Sequence, residues 1–445
     1  MMRKFMGLLL LLCVLSGTAA TAQSGQIPPS SSQTSTAEKI TPQPPAKKFT
    51  GYSLSPELYK KSKRLAAIRF SFRIFSFLFS LFALWLILRL KWSAQFRDWA
   101  ERTSRNRTLQ ALIFAPLFAI TYSLLELPLD LFNESLFKRY GISVQPWSAW
   151  TADWLKGLLL TVIFGTLLIR ILFAVIRSSP QRWWFYFWII SIPISLAIFF
   201  VQPLVIDPMF SKFEPLATKA PALIPQLERL TVRGGMPIPP ERMFWMLASD
   251  KTIFTNAYVT GFGATKRVVI WDTTIDKETT DGILLMFGHE MGHYALNHVP
   301  KELAFSSLLV FFLLYVTYLS IGWLLARGGA KWALRGLDDW AALPALLLVV
   351  TFFGFFAMVL ATNVSRFYEN QADVYSLEVT HGYVSDPGQA CAASYQMYGE
   401  QVFAEPDPNP INVFMFYDHP PVAERVQLCL TYDPWSKGES PQFVK

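Results

Sequence analysis

Six stretches of the chain are almost continuously apolar: residues 74–90, 109–132, 157–176, 183–204, 303–326 and 341–361. Each is close to the ~20 residues that a helix needs to cross the hydrocarbon of a bilayer. Any one of them alone reads equally well as the buried helix of a soluble protein. Six together, bordered by aromatic and basic residues, predict a polytopic membrane protein. A seventh apolar run is different: Arg3 and Lys4 precede residues 5–15, and Ala20-Thr21-Ala22 has the small residues of a cleavage site. That pattern predicts a secretory signal peptide over 1–22, the rival reading being an uncleaved first membrane helix. Residues 23–58, rich in Ser, Pro and Gln, lack the apolar content to fold and are expected to be a disordered linker.

The pattern divides the remainder into an N-terminal membrane domain with four spans (59–204), a polar segment (205–302), a membrane helix pair (303–362) and a C-terminal segment (363–445). The expected fold class is mainly α, polytopic membrane helices joined to polar segments that contain a small β-hairpin or sheet. Composition sharpens this. With 52% hydrophobic, 15% aromatic and only 16% charged residues, the chain is too apolar for an ordinary soluble enzyme. The formal net charge of +8 is modest for 445 residues and spread over loops, giving no reason to invoke nucleic acid. Cys13 would leave with the signal peptide. Cys391 and Cys429 either bridge in an oxidising compartment or stay as buried thiols, and neither has metal-site spacing.

Exporting the mature N-terminus places the loops with Lys91, Arg97, Arg102, Arg105 and Arg107, with Arg177 and Arg182, and with Arg327, Lys331 and Arg335 inside, as the positive-inside tendency asks. Lys60, Lys61, Lys63, Arg64, Arg69 and Arg73, just before the first span, argue against it. The expected location is a cell (inner) membrane, multi-pass, with the polar segment 205–302 on the periplasmic side. Glu126 and Arg170, within predicted spans, are expected to line a polar chamber, snorkel to the interface or pair with each other.

Chemistry concentrates in Gly288-His289-Glu290-Met291-Gly292-His293. Thr279, Thr280 and Asp281 supply an N-cap and an acidic first turn ahead of an apolar face, so the segment reads as helix. Residues four apart lie about 40° apart around a helix, so His289 and His293 can grip one ion while Glu290 beside them acts as a general base. A paired helical histidine is often an ordinary surface pair. Here, however, three of the five histidines in the chain fall between His289 and His298, which favours a metal. A catalytic zinc uses a third protein ligand. His298, about 140° around the helix from His293, is rejected for that role. Glu369 is the better candidate, with Asp373 one turn beyond it to orient a histidine, although Arg366, Glu369 and Asp373 can equally form a salt-bridged helix face. Residues 254–259 are β-prone, and Gly261-Phe262-Gly263 can turn them into a second strand over 268–271. Asn256, Ala257 and Tyr258 are expected to form an edge that pairs with substrate, the alternative being a purely structural hairpin. His419, before two prolines, is expected to stabilise an oxyanion or to be an ordinary histidine, with Arg425 bracing its loop or a carboxylate such as Asp373.

With these motifs placed, the chain resembles the type I CAAX prenyl endopeptidase family, integral-membrane zinc metalloproteases related to bacterial heat-shock membrane proteases, of which it looks like a bacterial member. The likeness extends beyond the zinc helix. It takes in Tyr59-Lys60-Lys61-Ser62-Lys63-Arg64, Leu127-Pro128, Tyr140-Gly141-Ile142-Ser143, Asp153-Trp154-Leu155-Lys156, and Asp207-Pro208-Met209-Phe210-Ser211-Lys212-Phe213. It continues through Asn256-Ala257-Tyr258, Lys266-Arg267-Val268-Val269-Ile270-Trp271-Asp272-Thr273, the Glu369 segment, and His419-Pro420-Pro421 with Glu424-Arg425. The resemblance implies one Zn²⁺ per chain on His289, His293 and Glu369, with Glu290 as the catalytic base, in the gluzincin arrangement of His-Glu-x-x-His plus a downstream Glu. It also implies a ring of membrane helices around a water-filled chamber. Relatives have seven membrane helices, whereas removal of the first segment here leaves six.

The expected function is therefore a membrane-embedded zinc endopeptidase that hydrolyses membrane-associated or misfolded proteins, its partners being polypeptide and lipid. A non-catalytic membrane chaperone using the same chamber is the alternative, and the intact base argues against it. A secondary transporter is suggested only by the number of spans, and no matching broken-helix halves support it.

Overall fold

A computed structural model of the chain describes residues 48–261 and 266–444. The expected signal peptide and most of the expected linker therefore lie outside the described residues. All six predicted spans are helices, and all but α5 are longer than their apolar cores: α1 (Pro56–Arg89), α3 (Arg107–Arg139), α4 (Trp147–Ser178), α5 (Trp183–Val201), α9 (His298–Gly328) and α10 (Leu343–Thr380). A short amphipathic helix, α2 (Trp92–Thr103), follows α1, and α5 runs on through a π-helical turn, Gln202–Ile206, into Asp207–Phe210. Apolar periodicity marks only the hydrocarbon-facing part of a helix; the polar turns that extend it are invisible to that criterion.

That difference matters most in α10. Its 38 residues span about 57 Å, against ~30 Å of hydrocarbon. The last predicted span, 341–361, thus runs unbroken into the segment that carries Glu369 and Asp373. One rigid helix joins the membrane to the expected metal site.

On the membrane side the helices pack around Leu84, Phe114, Phe173, Trp183, Leu314, Trp340 and Leu346. At one end, the loops around 90–107, 177–182 and 327–339 come together. Arg97 and Asp339 form a buried ion pair at 2.6 Å, Arg335 reaches Glu101 at 2.6 Å, and Arg177 donates to the Asp338 carbonyl at 2.9 Å. The opposite end carries the peptidase half. There, β1 (Phe213–Pro215), β2 (Met243–Met246), β3 (Ala257–Thr260) and β4 (Arg267–Trp271) form a sheet of order β1-β2-β4-β3. Strands β2 and β4 are parallel, and the two outer pairs are antiparallel. Val268, Val269 and Ile270 on the central β4 are fully buried. The helix α6 (Ile224–Arg233) closes over this sheet through Leu227 and Leu230. The helices α7 (Asp272–Lys277) and α8 (Thr280–Ala295) follow β4 directly, and α11 (Pro387–Val402), α12 (Pro410–Phe416) and α13 (Val422–Thr431) complete the half.

Two expectations need correction. The end of the expected linker is docked rather than loose: the Phe49 amide donates to Gln389 Oε1 at 2.7 Å, the Tyr52 hydroxyl to the Ala404 carbonyl at 2.9 Å, and α1 begins at Pro56 behind a Ser55 cap. The reason is that Phe49 and Tyr52 supply the apolar surface that the rest of the linker lacks, and both pack on the C-terminal helices. Glu126 and Arg170 do not pair with each other. Glu126 is buried beside Tyr122, whereas Arg170 donates to Thr108 Oγ1 near the basic end.

Candidate metal centre

The metal helix α8 starts where its sequence says it should. The Thr279 hydroxyl accepts from the Gly282 amide at 3.1 Å, and Asp281 stands in the first turn. Two glycines then let α8 lie directly against α10. A Cβ on Gly288 would meet Val379 Cγ1 at 3.0 Å, and one on Gly292 would meet the Ala372 Cα at 3.1 Å and Tyr375 Cβ at 3.2 Å. The Ser376 hydroxyl also donates to the Leu285 carbonyl across the same seam. This close approach brings His289 and His293 to Glu369, 80 and 76 residues away in the chain.

The three side chains converge. His289 Nε2 lies 3.2 Å from His293 Nε2 and 3.1 Å from Glu369 Oε2, and His293 Nε2 lies 3.6 Å from Glu369 Oε1. Two ligand atoms at tetrahedral zinc stand roughly 3.3 Å apart, so the separations match three corners around one small cation. Among the described residues this is the single cluster of histidine, cysteine or acidic groups with metal-binding geometry. The Glu369 Oε2 atom is buried and accepts no well-formed hydrogen bond. A buried carboxylate oxygen left in that state is costly unless a cation takes its lone pair. The donor set of two imidazoles and one carboxylate therefore fits a divalent metal.

The outer nitrogens explain why the inner ones point correctly. Asp373 faces His289, with Oδ1 at 2.8 Å from Nδ1. Asp373 is itself held by Arg425, which donates through Nε to Oδ2 at 2.8 Å and through an Nη to Oδ1 at 2.6 Å, and by the Tyr395 hydroxyl at 2.6 Å. Fixed on an anionic acceptor, His289 carries its proton on Nδ1 and turns the Nε2 lone pair inward. Burial alone would depress its pKa, but the Asp373 and Glu369 carboxylates outweigh that and, with no cation between them, raise it to about 10, so a metal that binds here has to displace the proton from Nε2. Burial dominates at His293 and lowers its pKa to about 3, so its ring is neutral, as a ligand must be.

His298, set aside as a ligand, lies outside the convergent triad, yet it completes the arrangement. Its Nδ1 is 3.2 Å from His293 Nδ1, its Nε2 is 3.0 Å from Gln371 Oε1, and its fully buried ring stacks on Tyr368. If Nε2–H donates to Gln371, Nδ1 is free to accept from His293 Nδ1–H, which again leaves the inner nitrogen as a lone pair. Sequence reasoning missed this role, and Gln371 and Tyr395 with it. The density of histidines between 289 and 298 was the one available signal.

Beside the triad, burial and then the Glu369 charge push the Glu290 carboxyl up to about 7, while the Val259 amide hydrogen-bonds it. His419 reaches the cluster from the C-terminal loop, with Nε2 3.2 Å from Glu369 Oε2 and Nδ1 3.0 Å from Asp418 Oδ1. Burial opposes its charged form, but these two carboxylates more than offset it and raise its pKa. Arg366 corrects an expectation: it touches no member of the triad. It donates to the Val413 carbonyl at 2.6 Å, to the Tyr417 carbonyl and to Asn363 Oδ1. Projecting from another side of α10, it satisfies carbonyls at the end of α12 and so steadies the loop bearing His419.

The expected substrate edge is the outer strand β3. The Trp271 amide donates to the Asn256 carbonyl at 3.0 Å, and Thr274 Oγ1 bonds both the Asn256 amide and carbonyl at 2.7 Å. By antiparallel alternation, Asn256, Tyr258 and Thr260 turn their backbones toward β4, and Ala257 and Val259 turn theirs away. The Val259 carbonyl faces the Tyr294 hydroxyl at 3.3 Å. The Tyr258 side chain packs on the far side, with Phe254 and Val269.

Known proteins match the chain over nearly its full length. Residues 35–212 match a family described as CAAX prenyl protease N-terminal, five membrane helices, and residues 217–431 match peptidase family M48. The chain has four long helices between 56 and 210 where that description counts five. An uncharacterized metalloprotease of Bacillus subtilis, YhfN, is 32% identical, covering 85% of this chain and 88% of its own. The human CAAX prenyl protease 1 homolog is 24% identical over 86% and 88%, respectively. The crystal structure of S. mikatae Ste24p shares the fold, with a TM-score of 0.71 at 23% identity, covering 85% of this chain and 90% of that one. This protein belongs to peptidase family M48, as a membrane-integral, CAAX-protease-like metalloendopeptidase.

Proposed function

We propose that the chain is a zinc endopeptidase in which His289, His293 and Glu369 hold the ion and Glu290 is the general base. The observation that carries this reading is the convergence of two imidazole nitrogens and a carboxylate at tetrahedral spacing. Zinc, when bound, supplies a Lewis acid that polarises the scissile carbonyl and acidifies water. Glu290 takes the proton of the attacking water and delivers it to the leaving amine. A carboxyl poised near neutrality suits both transfers. His419, held in its protonated form by Asp418 and Glu369, donates to the oxyanion. An extended substrate pairs with the outward backbone of β3 around Ala257, which lays its scissile bond along α8. Asp373, Arg425 and His298 keep the ligands aligned.

The substrate reading is membrane-associated or misfolded polypeptide in a cell membrane, with the metal side facing out of the cytoplasm. The basic loops of the end opposite the metal support that orientation. The basic residues in the first half of α1 that argued against it serve the peptidase half: Lys63 pairs with Asp407 at 3.1 Å and Arg73 lies over the Phe416 ring.

Glu290→Gln tests the reading. We expect stoichiometric zinc by metal analysis with peptide cleavage reduced at least a thousandfold, and chelation of the unaltered chain should abolish activity until zinc is restored. Full cleavage by the variant would remove Glu290 from the mechanism. Rescue of a misfolded client by the variant would favour a chaperone instead.

A further inference from the structure

Two cysteines join the helices that hold Asp373. Cys391 on α11 and Cys429 on α13 form a disulfide with their Cα atoms 5.7 Å apart. Tyr395 follows Cys391 by four residues on α11, and Arg425 precedes Cys429 by four on α13. On each helix the cysteine and the Asp373 partner therefore share a face, one turn apart. The two partners also touch each other, the Arg425 guanidinium lying 4.3 Å from the Tyr395 ring centre. Both cysteines are buried, 5% and 2% exposed, among Leu285 of α8, Leu377 of α10, Val422 and Val426. The covalent link is thus built into the floor beneath the metal helix pair. It closes a chain segment 38 residues long, and that segment contains Tyr395, His419 and Arg425.

We infer that the Cys391–Cys429 bond is a positioning device for the metal centre: it keeps Tyr395 and Arg425 on Asp373, hence His289 in its ligating orientation, so that full metal affinity is reached only after thiol oxidation. The inference rests on the zinc assignment above. Closing the bond removes two protons and two electrons from the thiols. A thiol–disulfide oxidant accepts them, its own disulfide becoming two thiols. Such a bond persists on the oxidising side of a membrane and not in a reducing cytosol. The same device therefore makes the enzyme competent after export and leaves it weakly metallated before. Its action on zinc passes through a carboxylate that neither cysteine touches, which separates it from a general staple.

The test uses the full chain in detergent or nanodiscs. Zinc release into a chromogenic chelator is timed for the unaltered protein, for Cys391→Ala/Cys429→Ala, and for both in an Asp373→Asn background. Release should be at least tenfold faster without the bond, since losing a partner of a metal-bound histidine weakens metal binding about 10- to 100-fold. In the Asp373→Asn background the cysteine changes should add less than twofold, because the clamp is already lost. Unaltered protein opened with a phosphine reductant should behave like the cysteine pair variant, which covers a variant that fails to fold. Equal release with and without the bond overturns the proposal. So does an undiminished tenfold effect in the Asp373→Asn background, or alkylation of both cysteines in unreduced protein. Absence of stoichiometric zinc from oxidised, unaltered protein would overturn the metal assignment as well, and so is a distinct failure.

Discussion

A ligand triad is only as good as the groups behind it, and in this protein each histidine is held from its far side. On the proposed tautomers, Asp373 and His298 act on different rings but to one end, each leaving an Nε2 lone pair for a metal shared with Glu369. The convergence of His289, His293 and Glu369 was legible in the sequence, because His-x-x-x-His is a local pattern and the Glu369 segment follows the family motif. The partners were not, since the contacts join residues 84, 73 and 52 positions apart with no periodicity to announce them. His298 offers the sharpest residue-scale prediction. His298→Leu removes the acceptor from His293 and should weaken zinc affinity about tenfold in a competition titration. His298→Gln, whose amide oxygen can accept the same proton, should recover most of it. Equal affinity across all three proteins would show that His293 needs no such partner.

Among the elements, the pairing of α8 with α10 decides whether the site exists. Helices rarely approach so closely without small residues at the seam, and Gly288 and Gly292 flank the motif histidines on the face turned to α10. Gly292→Ala places a methyl 3.1 Å from the Ala372 Cα and 3.2 Å from Tyr375 Cβ, atoms at the root of the backbone that cannot rotate away. The helices must separate by a few tenths of an ångström. Overpacking of this kind costs on the order of 1–3 kcal/mol, to be read as a lowered thermal midpoint together with a raised zinc dissociation constant. Gly322→Ala, where nothing lies within 4 Å of the added methyl, is the control and should change neither. The sequence foretold α8 and its cap, and the β3–β4 hairpin. It did not foretell the parallel β2–β4 pairing, because strands of four and five residues carry too little alternation to state their neighbours. The continuity of α10 escaped notice because the hydrophobic signal stops at the membrane surface while the hydrogen-bonded helix does not.

At the scale of the whole molecule, the two ends differ in chemistry. One has ten Lys and Arg against four Asp and Glu in the loops 90–107, 177–182 and 327–339, and the other holds the His289–His293–Glu369 cluster and a buried disulfide. Lys and Arg are retained on the cytoplasmic side of a bilayer, and disulfides survive on the oxidising side, so both features favour the proposed orientation, with the membrane between the basic loops and the His289–His293–Glu369 cluster. Neither argument depends on the expected signal peptide. Cysteine scanning would decide it. Arg105→Cys, exposed in the basic loop before α3, should resist a membrane-impermeant maleimide applied to spheroplasts and react once the membrane is opened. Lys437→Cys, exposed beyond α13, should react in intact spheroplasts. The reverse pattern would put the metal site in the cytosol, where the Cys391–Cys429 pair would be reduced. The clamp on Asp373 would then have to hold through hydrogen bonds alone.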